Sequence, residues 1–205
     1  MLPLAGLVIA YLAGSIPFAF LAGKLFKGID LREHGSGNLG ATNVFRVMGW
    51  KIASVVMILD MAKGALPVLL LPTRLAPVHT ELWAIAFGVA AIVGHVRSVF
   101  LLWKGGGKGV ATAGGVFLAL APIPSLISIA VWGIVLYLSG YVSLASLTSA
   151  VALTIAVVAM KGVTSPVAIA CAAITVFVFW THRANIGRLR RGEENRFRRG
   201  AKVAT

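Results

Sequence analysis

Long apolar runs alternate with short polar interruptions along this chain, and the run lengths point to the fold. Apolar stretches occupy about residues 2–23, 51–72, 82–103, 110–138, 142–160 and 166–181. Most approach the ~20 residues that carry a helix across the ~30 Å hydrocarbon core of a bilayer. In lipid the backbone must satisfy its own polar groups, which an α-helix does within one segment. The pattern therefore predicts an all-α polytopic membrane protein. Pro17 lies inside the first run, where neighbouring helices can take up the carbonyl it frees. The run at 110–138 is the ambiguous one. As one straight helix it would measure ~43 Å at 1.5 Å per residue, and Pro122-Ile-Pro124 interrupts it.

Charge resolves that ambiguity. The net charge is +13, from 19 basic and 6 acidic residues. Basic loops stay on the cytoplasmic side of a membrane. The last run is followed by Arg183, Arg188, Arg190, Arg191, Arg196, Arg198, Arg199 and Lys202, so this tail is expected to be cytoplasmic. The loop from Lys24 to Lys51 is expected there too, which puts the N-terminus outside. An outside start and an inside end require an odd number of crossings. Splitting 110–138 at its prolines gives about seven transmembrane helices, some of them short, in a single domain 1–205 with a basic tail from about 182. The same topology gathers four polar clusters on the inner face: 35–46, 104–109, 141–149 and 182–194.

Composition narrows the function classes. Hydrophobic residues make up 59% and charged residues 12%, against ~25% charged in soluble domains. The basic excess fits anionic lipid headgroups. It does not fit nucleic acid, because the tail follows a span directly and lacks interleaved aromatics beyond Phe197. The single cysteine, Cys171, can form no intramolecular disulfide. Four scattered histidines without a carboxylate cluster argue against a metal site, and no cofactor is implied. Met1 begins directly on an apolar segment, without a basic leader or a clean cleavage site.

The polar clusters carry the candidate chemistry. Residues 35–46 read Gly-Ser-Gly-Asn-Leu-Gly-Ala-Thr-Asn-Val-Phe-Arg. Glycines let backbone approach a ligand, Ser36, Asn38, Thr42 and Asn43 supply short donors, and Arg46 supplies a planar fork suited to phosphate or carboxylate. A glycine-rich connecting loop is the plainer reading. The second cluster, GGGKGVATAGG at 105–115, opens the fourth span, and backbone N–H groups at a helix start beside a lysine make an anion site. It is not a Walker A loop, since no Ser or Thr follows Lys108. In GYVSLASLTSA at 140–150 the small hydroxyl residues read first as helix packing, with Ser143 and Ser146 nearest the inner face. Asp60 and Lys63, spaced i,i+3, are expected to neutralise each other as a structural pair. His95 alone reads as hydrogen-bonded structure. His182 and Asn185 stand one helical turn apart at a membrane exit, followed by Glu194.

GSGNLGATNVFR, GHVRSVF with KGGGKGVAT, the serine segment at 143–149 and HRANIGRL with GEE follow one another in order. Together they resemble the bacterial membrane acyl-phosphate:glycerol-3-phosphate acyltransferases, the PlsY family. The resemblance runs from about Gly14 to Glu194. It implies transfer of an acyl group from acyl phosphate to glycerol 3-phosphate, giving 1-acylglycerol 3-phosphate (lysophosphatidate) and phosphate as a first step of bacterial phospholipid synthesis. It further implies a multi-pass protein of the bacterial cytoplasmic (inner) membrane, with its active site facing the cytoplasm, active as a monomer among membrane lipids.

Residue by residue, the resemblance implies that Ser36, Arg46, His182 and Asn185 serve catalysis. Gly37, Asn38, Gly40, Thr42, Asn43, Gly106, Gly107, Lys108, Gly109, Thr112 and Ser143 are then expected around the phosphates, with Glu194, Asp60 and Lys63 structural. Two departures are visible: three glycines, where the family pattern has two, separate Lys104 from Lys108, and Ser98 stands where a proline is usual. No general base is evident, because none of His34, His79, His95 or His182 belongs to a His-x4-Asp pair. A phosphate oxygen of the donor is the expected proton acceptor, with His182 as its rival. The alternative function, an organic-phosphate transporter or channel, would call for inverted repeats and polar, broken helices in both halves. Neither is visible in the sequence.

Overall fold

The run boundaries become helix boundaries with few changes. The structure, a computed structural model, describes residues 1–197, and these fall into two packing units that meet in sequence at Leu120 and Ala121.

In the first unit the opening run is broken at Pro17 into α1 (Leu2–Ser15) and α2 (Phe18–Lys27). Proline cannot donate into the helix ladder, so carbonyls at the break need other donors. Ser98 Oγ donates to the Ser15 carbonyl at 2.5 Å, and Lys63 Nζ donates to the Ile16 carbonyl at 2.8 Å. There follow α3 (Ala41–Met48), α4 (Trp50–Leu70), α5 (Pro72–Leu75), α6 (Thr80–Val96), a 3-10 turn at Val99–Leu101 and α7 (Val110–Leu120). Small residues let the spans approach closely, as lipid-embedded helices require. A Cβ on Gly115 would collide with the Met61 backbone, and one on Gly64 with the Thr112 carbonyl, so α4 and α7 touch backbone to backbone.

The second unit holds α8 (Pro122–Ser139), α9 (Val142–Lys161), α10 (Pro166–Thr181) and α11 (Arg183–Arg191). Hydroxyls join its helices. Ser128 Oγ donates to the Ser149 carbonyl at 2.8 Å, and Thr154 and Thr175 share a hydrogen bond of 2.8 Å.

The break between α7 and α8 falls at Ala121, so the long run is indeed split at its prolines. Among the described residues, five segments are long and apolar enough to cross a membrane: Leu2–Lys27, Trp50–Leu75, Thr80–Leu101, Pro122–Ser139 and Val142–Lys161. A sixth arises if α10 and α11, bent by 58° at His182, count as one span. The α7 helix has 11 residues, ~16 Å at 1.5 Å per residue, because the glycine-rich loop takes up the preceding chain.

Candidate active site

The stretch at 35–46 is half loop and half helix. Residues 35–40 are irregular, and α3 begins at Ala41, so Thr42, Asn43 and Arg46 are helical rather than members of an extended nest. The reason is local. Val44 and Met48, four residues apart, sink into a small core with Leu31, Leu39, Ala53 and Leu101. Left-handed Gly49 (φ 84°) ends the helix, and Lys27 Nζ donates to the Val47 carbonyl at 2.9 Å.

Asn43 organises the loop from within. It is 1% exposed. Its amide donates to the carbonyls of Leu31 (3.2 Å) and His34 (3.0 Å), and its Oδ1 accepts the Ser36 N–H at 2.8 Å. Those bonds engage both ends of the side chain, so Asn43 shapes the loop that presents Ser36. Ser36 itself is exposed, and Arg46 is half-buried in the last turn of α3.

The loop at 35–40 is tied to the glycine-rich loop. The Leu39 N–H and the Asn38 side-chain amide both donate to the Gly106 carbonyl, at 3.2 and 3.3 Å. Arg32 joins the two from the side, pairing with Asp30 at 2.6 Å and donating to the Lys104 carbonyl at 3.1 Å. That guanidinium holds the Asp30 carboxyl down at about 2. Two clusters ~70 residues apart in sequence thus form one polar surface in the first unit. Lys104 is exposed and Lys108 half-buried, two positions before the start of α7. Lys108 is therefore the lysine beside the helix N-terminus, where backbone N–H groups attract anions. Gly109 is left-handed (φ 84°), and Thr112 is fully buried in the first turn of α7.

His95 reads in the sequence as hydrogen-bonded structure, and its link to the glycine loop is what sequence reasoning missed. Its carbonyl accepts the Gly107 N–H at 3.3 Å, and its ring packs on the Gly107 α-carbon. The signal was present in GHVRSVF, which precedes the glycine loop. Asp60 and Lys63 do pair, at 2.7 Å, with side chains 2% and 5% exposed. Ser98 fixes the turn after α6, since its carbonyl accepts the Trp103 N–H at 2.9 Å.

In the second unit Glu194 is the hub. Its Oε1 accepts from Asn185 Nδ2 at 2.6 Å and from Ser143 Oγ at 2.8 Å, and its Oε2 accepts from Arg188 Nε at 2.7 Å. Burial pushes this carboxyl up, but the hydrogen bonds from Asn185, Ser143 and Arg188 outweigh it and hold the group below the ordinary carboxylate range. Ser143 was expected near a phosphate. In the structure its one hydroxyl donates to Glu194 Oε1, so it supports the hub. The 143–149 hydroxyls otherwise serve packing, as Ser146 Oγ accepts from Trp132 Nε1 at 3.3 Å.

His182 sits at the bend between α10 and α11, 4% exposed, with Asn185 one turn later at 7%. His182 Nδ1 lies 2.8 Å from the Val178 carbonyl. A carbonyl only accepts, so Nδ1 carries the proton in the neutral ring and Nε2 holds the lone pair. Among the described residues no group of three His, Cys, Asp or Glu is arranged to hold a metal ion.

A polytopic α-helical membrane protein with a cation-rich, glycine-lined polar surface is the class these features define. Glycerol-3-phosphate acyltransferases are the family whose profile matches, over residues 4–192, and the chain belongs to that family. A relative from Maridesulfovibrio salexigens called glycerol-3-phosphate acyltransferase is 45% identical, over 97% of this chain and 99% of its own length. One of the same name from Bacillus subtilis is 44% identical over 89% and 91%. A crystal structure of PlsY, described as an integral membrane glycerol 3-phosphate acyltransferase in its glycerol 3-phosphate form, superposes with a TM-score of 0.87 at 38% identity, covering 96% of each chain. Its lysophosphatidic acid form gives 0.83 at 39% identity, over 95% of this chain and 94% of that one.

Proposed function

We propose that this chain transfers the acyl group of an acyl phosphate to glycerol 3-phosphate, producing 1-acylglycerol 3-phosphate and inorganic phosphate. The observation that carries the reading is the joined surface of the first unit, where loop 35–40 and loop 104–109 meet at Gly106 ahead of the α7 N-terminus. Both substrates are phosphates, and such a surface offers backbone N–H groups, Ser36, Arg46 and Lys108 to them. Gly37, Gly40, Gly106, Gly107 and Gly109 let the ligand approach backbone, while Asn38 and Asn43 hold the loops and Thr42 and Thr112 stand in the first turns of α3 and α7.

An acyl phosphate is already an activated mixed anhydride. The protein's task is to orient the glycerol hydroxyl and stabilise the developing oxyanion. The hydroxyl oxygen attacks the acyl carbon, the bond from that carbon to the phosphate oxygen breaks, and phosphate leaves. A phosphate oxygen of the donor takes the hydroxyl proton. His182, with its lone pair on Nε2, is the protein-based rival, and Asn185 and Glu194 fix the helix that follows it.

The membrane reading goes with this function. The spans cross the bacterial inner membrane with the N-terminus outside and the basic tail inside, and α7 and α10 bring the crossings to seven. The site faces the cytoplasm, and the chain acts as a monomer.

The test is phosphate release by purified protein given palmitoyl phosphate and glycerol 3-phosphate. Release dependent on both substrates is expected. Turnover with acyl-CoA or acyl-carrier protein in place of acyl phosphate would overturn the donor assignment. In the same assay, loss of turnover in His182→Ala with an unchanged KM for glycerol 3-phosphate, and loss of the acid limb of the pH profile, would make His182 the base.

A further inference from the structure

Three ionisable side chains lie buried within the apolar helices of the first unit, and they form a chain that ends at the glycine loop. Lys63 Nζ is 2.8 Å from the Ile16 carbonyl, 2.7 Å from Asp60 Oδ1 and 5.4 Å from the centre of the Phe18 ring. The same Asp60 oxygen lies 3.6 Å from His95 Nδ1. All three side chains are at most 5% exposed. Burying three such groups in lipid-embedded helices is costly, so their retention calls for a purpose.

The far edge of the imidazole supplies one. A Cβ built on Gly107 would overlap His95 Nε2, and one on Gly106 would strike the Val96 carbonyl. Gly107 is not among the glycines with left-handed backbone, unlike Gly105 (φ 95°) and Gly109 (φ 84°). Glycine at 107 is therefore required by the ring beneath it and not by its own torsion angles. The next link is the Gly106 carbonyl, which receives Asn38 and Leu39.

We propose that Asp60, anchored by Lys63, holds the His95 ring as the floor of the glycine loop. His95 is thereby a positioning residue that sets the affinity for glycerol 3-phosphate. The inference rests on the reading above, in which that loop binds the glycerol phosphate. Asp60 and Lys63 then do more than neutralise each other. They carry the α1–α2 break, through one carboxylate and one ring, to the loop that receives the substrate.

The experiment is a kinetic cycle on the full chain in detergent, with palmitoyl phosphate as donor. KM for each substrate and kcat are measured for Gly107→Ala, His95→Ala, the double variant, Asp60→Asn and Lys108→Ala. Gly107→Ala is expected to raise KM for glycerol 3-phosphate about tenfold or more, the scale of a misplaced binding group. His95→Ala empties the space that a Cβ at 107 needs, so the double variant should return to the KM of His95→Ala alone. Asp60→Asn should raise the same KM, leaving that for palmitoyl phosphate unchanged.

Multiplicative effects in the double variant, or equal shifts in both KM values, would overturn the inference. His95→Gln, which keeps a side chain of similar reach, serves in place of His95→Ala if that protein does not fold. It should relieve Gly107→Ala only in part, and no relief would count against the inference. A raised KM in Lys108→Ala with none in Asp60→Asn would sink this inference alone, while an unchanged KM in Lys108→Ala would sink the loop's binding role as well.

Discussion

Removing the Glu194 carboxylate is the most telling perturbation of the second unit. The group takes two bonds on Oε1, from Asn185 and Ser143, and one on Oε2 from Arg188. The Glu194 side chain is 4% exposed and that of Arg188 36% exposed. A hydrogen bond to a charged acceptor contributes about 1.5–3 kcal/mol. The Arg188 pair reaches solvent, so it is discounted to about 0.2–1 kcal/mol. Glu194→Ala also strands the buried Asn185 and Ser143 donors, and breaking a buried charged network in this way costs about 3–5 kcal/mol. Glu194→Gln keeps a carbonyl for the two neutral donors but opposes an amide to Arg188, so its loss should be less than half as large.

Cys171 supplies the assay. It is the single cysteine of the chain, 1% exposed, and it lies on α10 in the same unit. A thiol-reactive fluorogenic dye therefore reports opening of that unit during heating in detergent. With about 2–4 °C per kcal/mol for chains of this size, Glu194→Ala should lower the midpoint by roughly 6–20 °C, and Glu194→Gln clearly less. An unchanged midpoint in Glu194→Ala, or equal losses in the two variants, would refute the reasoning.

Two further outcomes follow from the same geometry. Gly115→Val should separate α4 from α7, at an overpacking cost of about 1–3 kcal/mol or more, whereas Gly114→Ala, whose Cβ would meet open space, should be neutral or slightly stabilising; thermal unfolding of the two purified variants checks this. Acid should loosen both the Asp30–Arg32 pair and the Glu194 hub. Asp30 and Glu194 have lowered folded-state values, so their contributions are complete above the ordinary carboxylate range of ~4. They are lost as pH falls through the folded values, at about 2 for Asp30. A stability profile should be flat from pH 7 to about 5 and fall below ~4, and Asp30→Asn should flatten part of that fall.

Membrane insertion and helix placement were legible in the chain because they depend on local quantities. Run length against bilayer thickness gave α4, α8, α9 and α10 nearly to the residue, and Pro122 marked the break before α8. Pro17 was legible as the source of a freed carbonyl inside the first run, but not as the break between α1 and α2, nor which donors would repair it, since Ser98 and Lys63 arrive from other helices. The polar clusters were legible as candidates through their glycines, Ser36, Arg46 and Lys108, which are chemically unusual between apolar runs.

Which of these side chains hold the frame was decided only by tertiary structure. Asn43 looked like a phosphate donor and proved to bind its own loop, and Ser143 donates its hydroxyl hydrogen bond to Glu194. His95 read as hydrogen-bonded structure, and only the packed helices show that it underlies the loop at Gly107. The physical reason is common to all three. Hydropathy and helix propensity act over a few neighbouring residues. A hydrogen bond or a steric floor is a matter of ångströms between segments far apart in the chain, and only the packed helices set those distances.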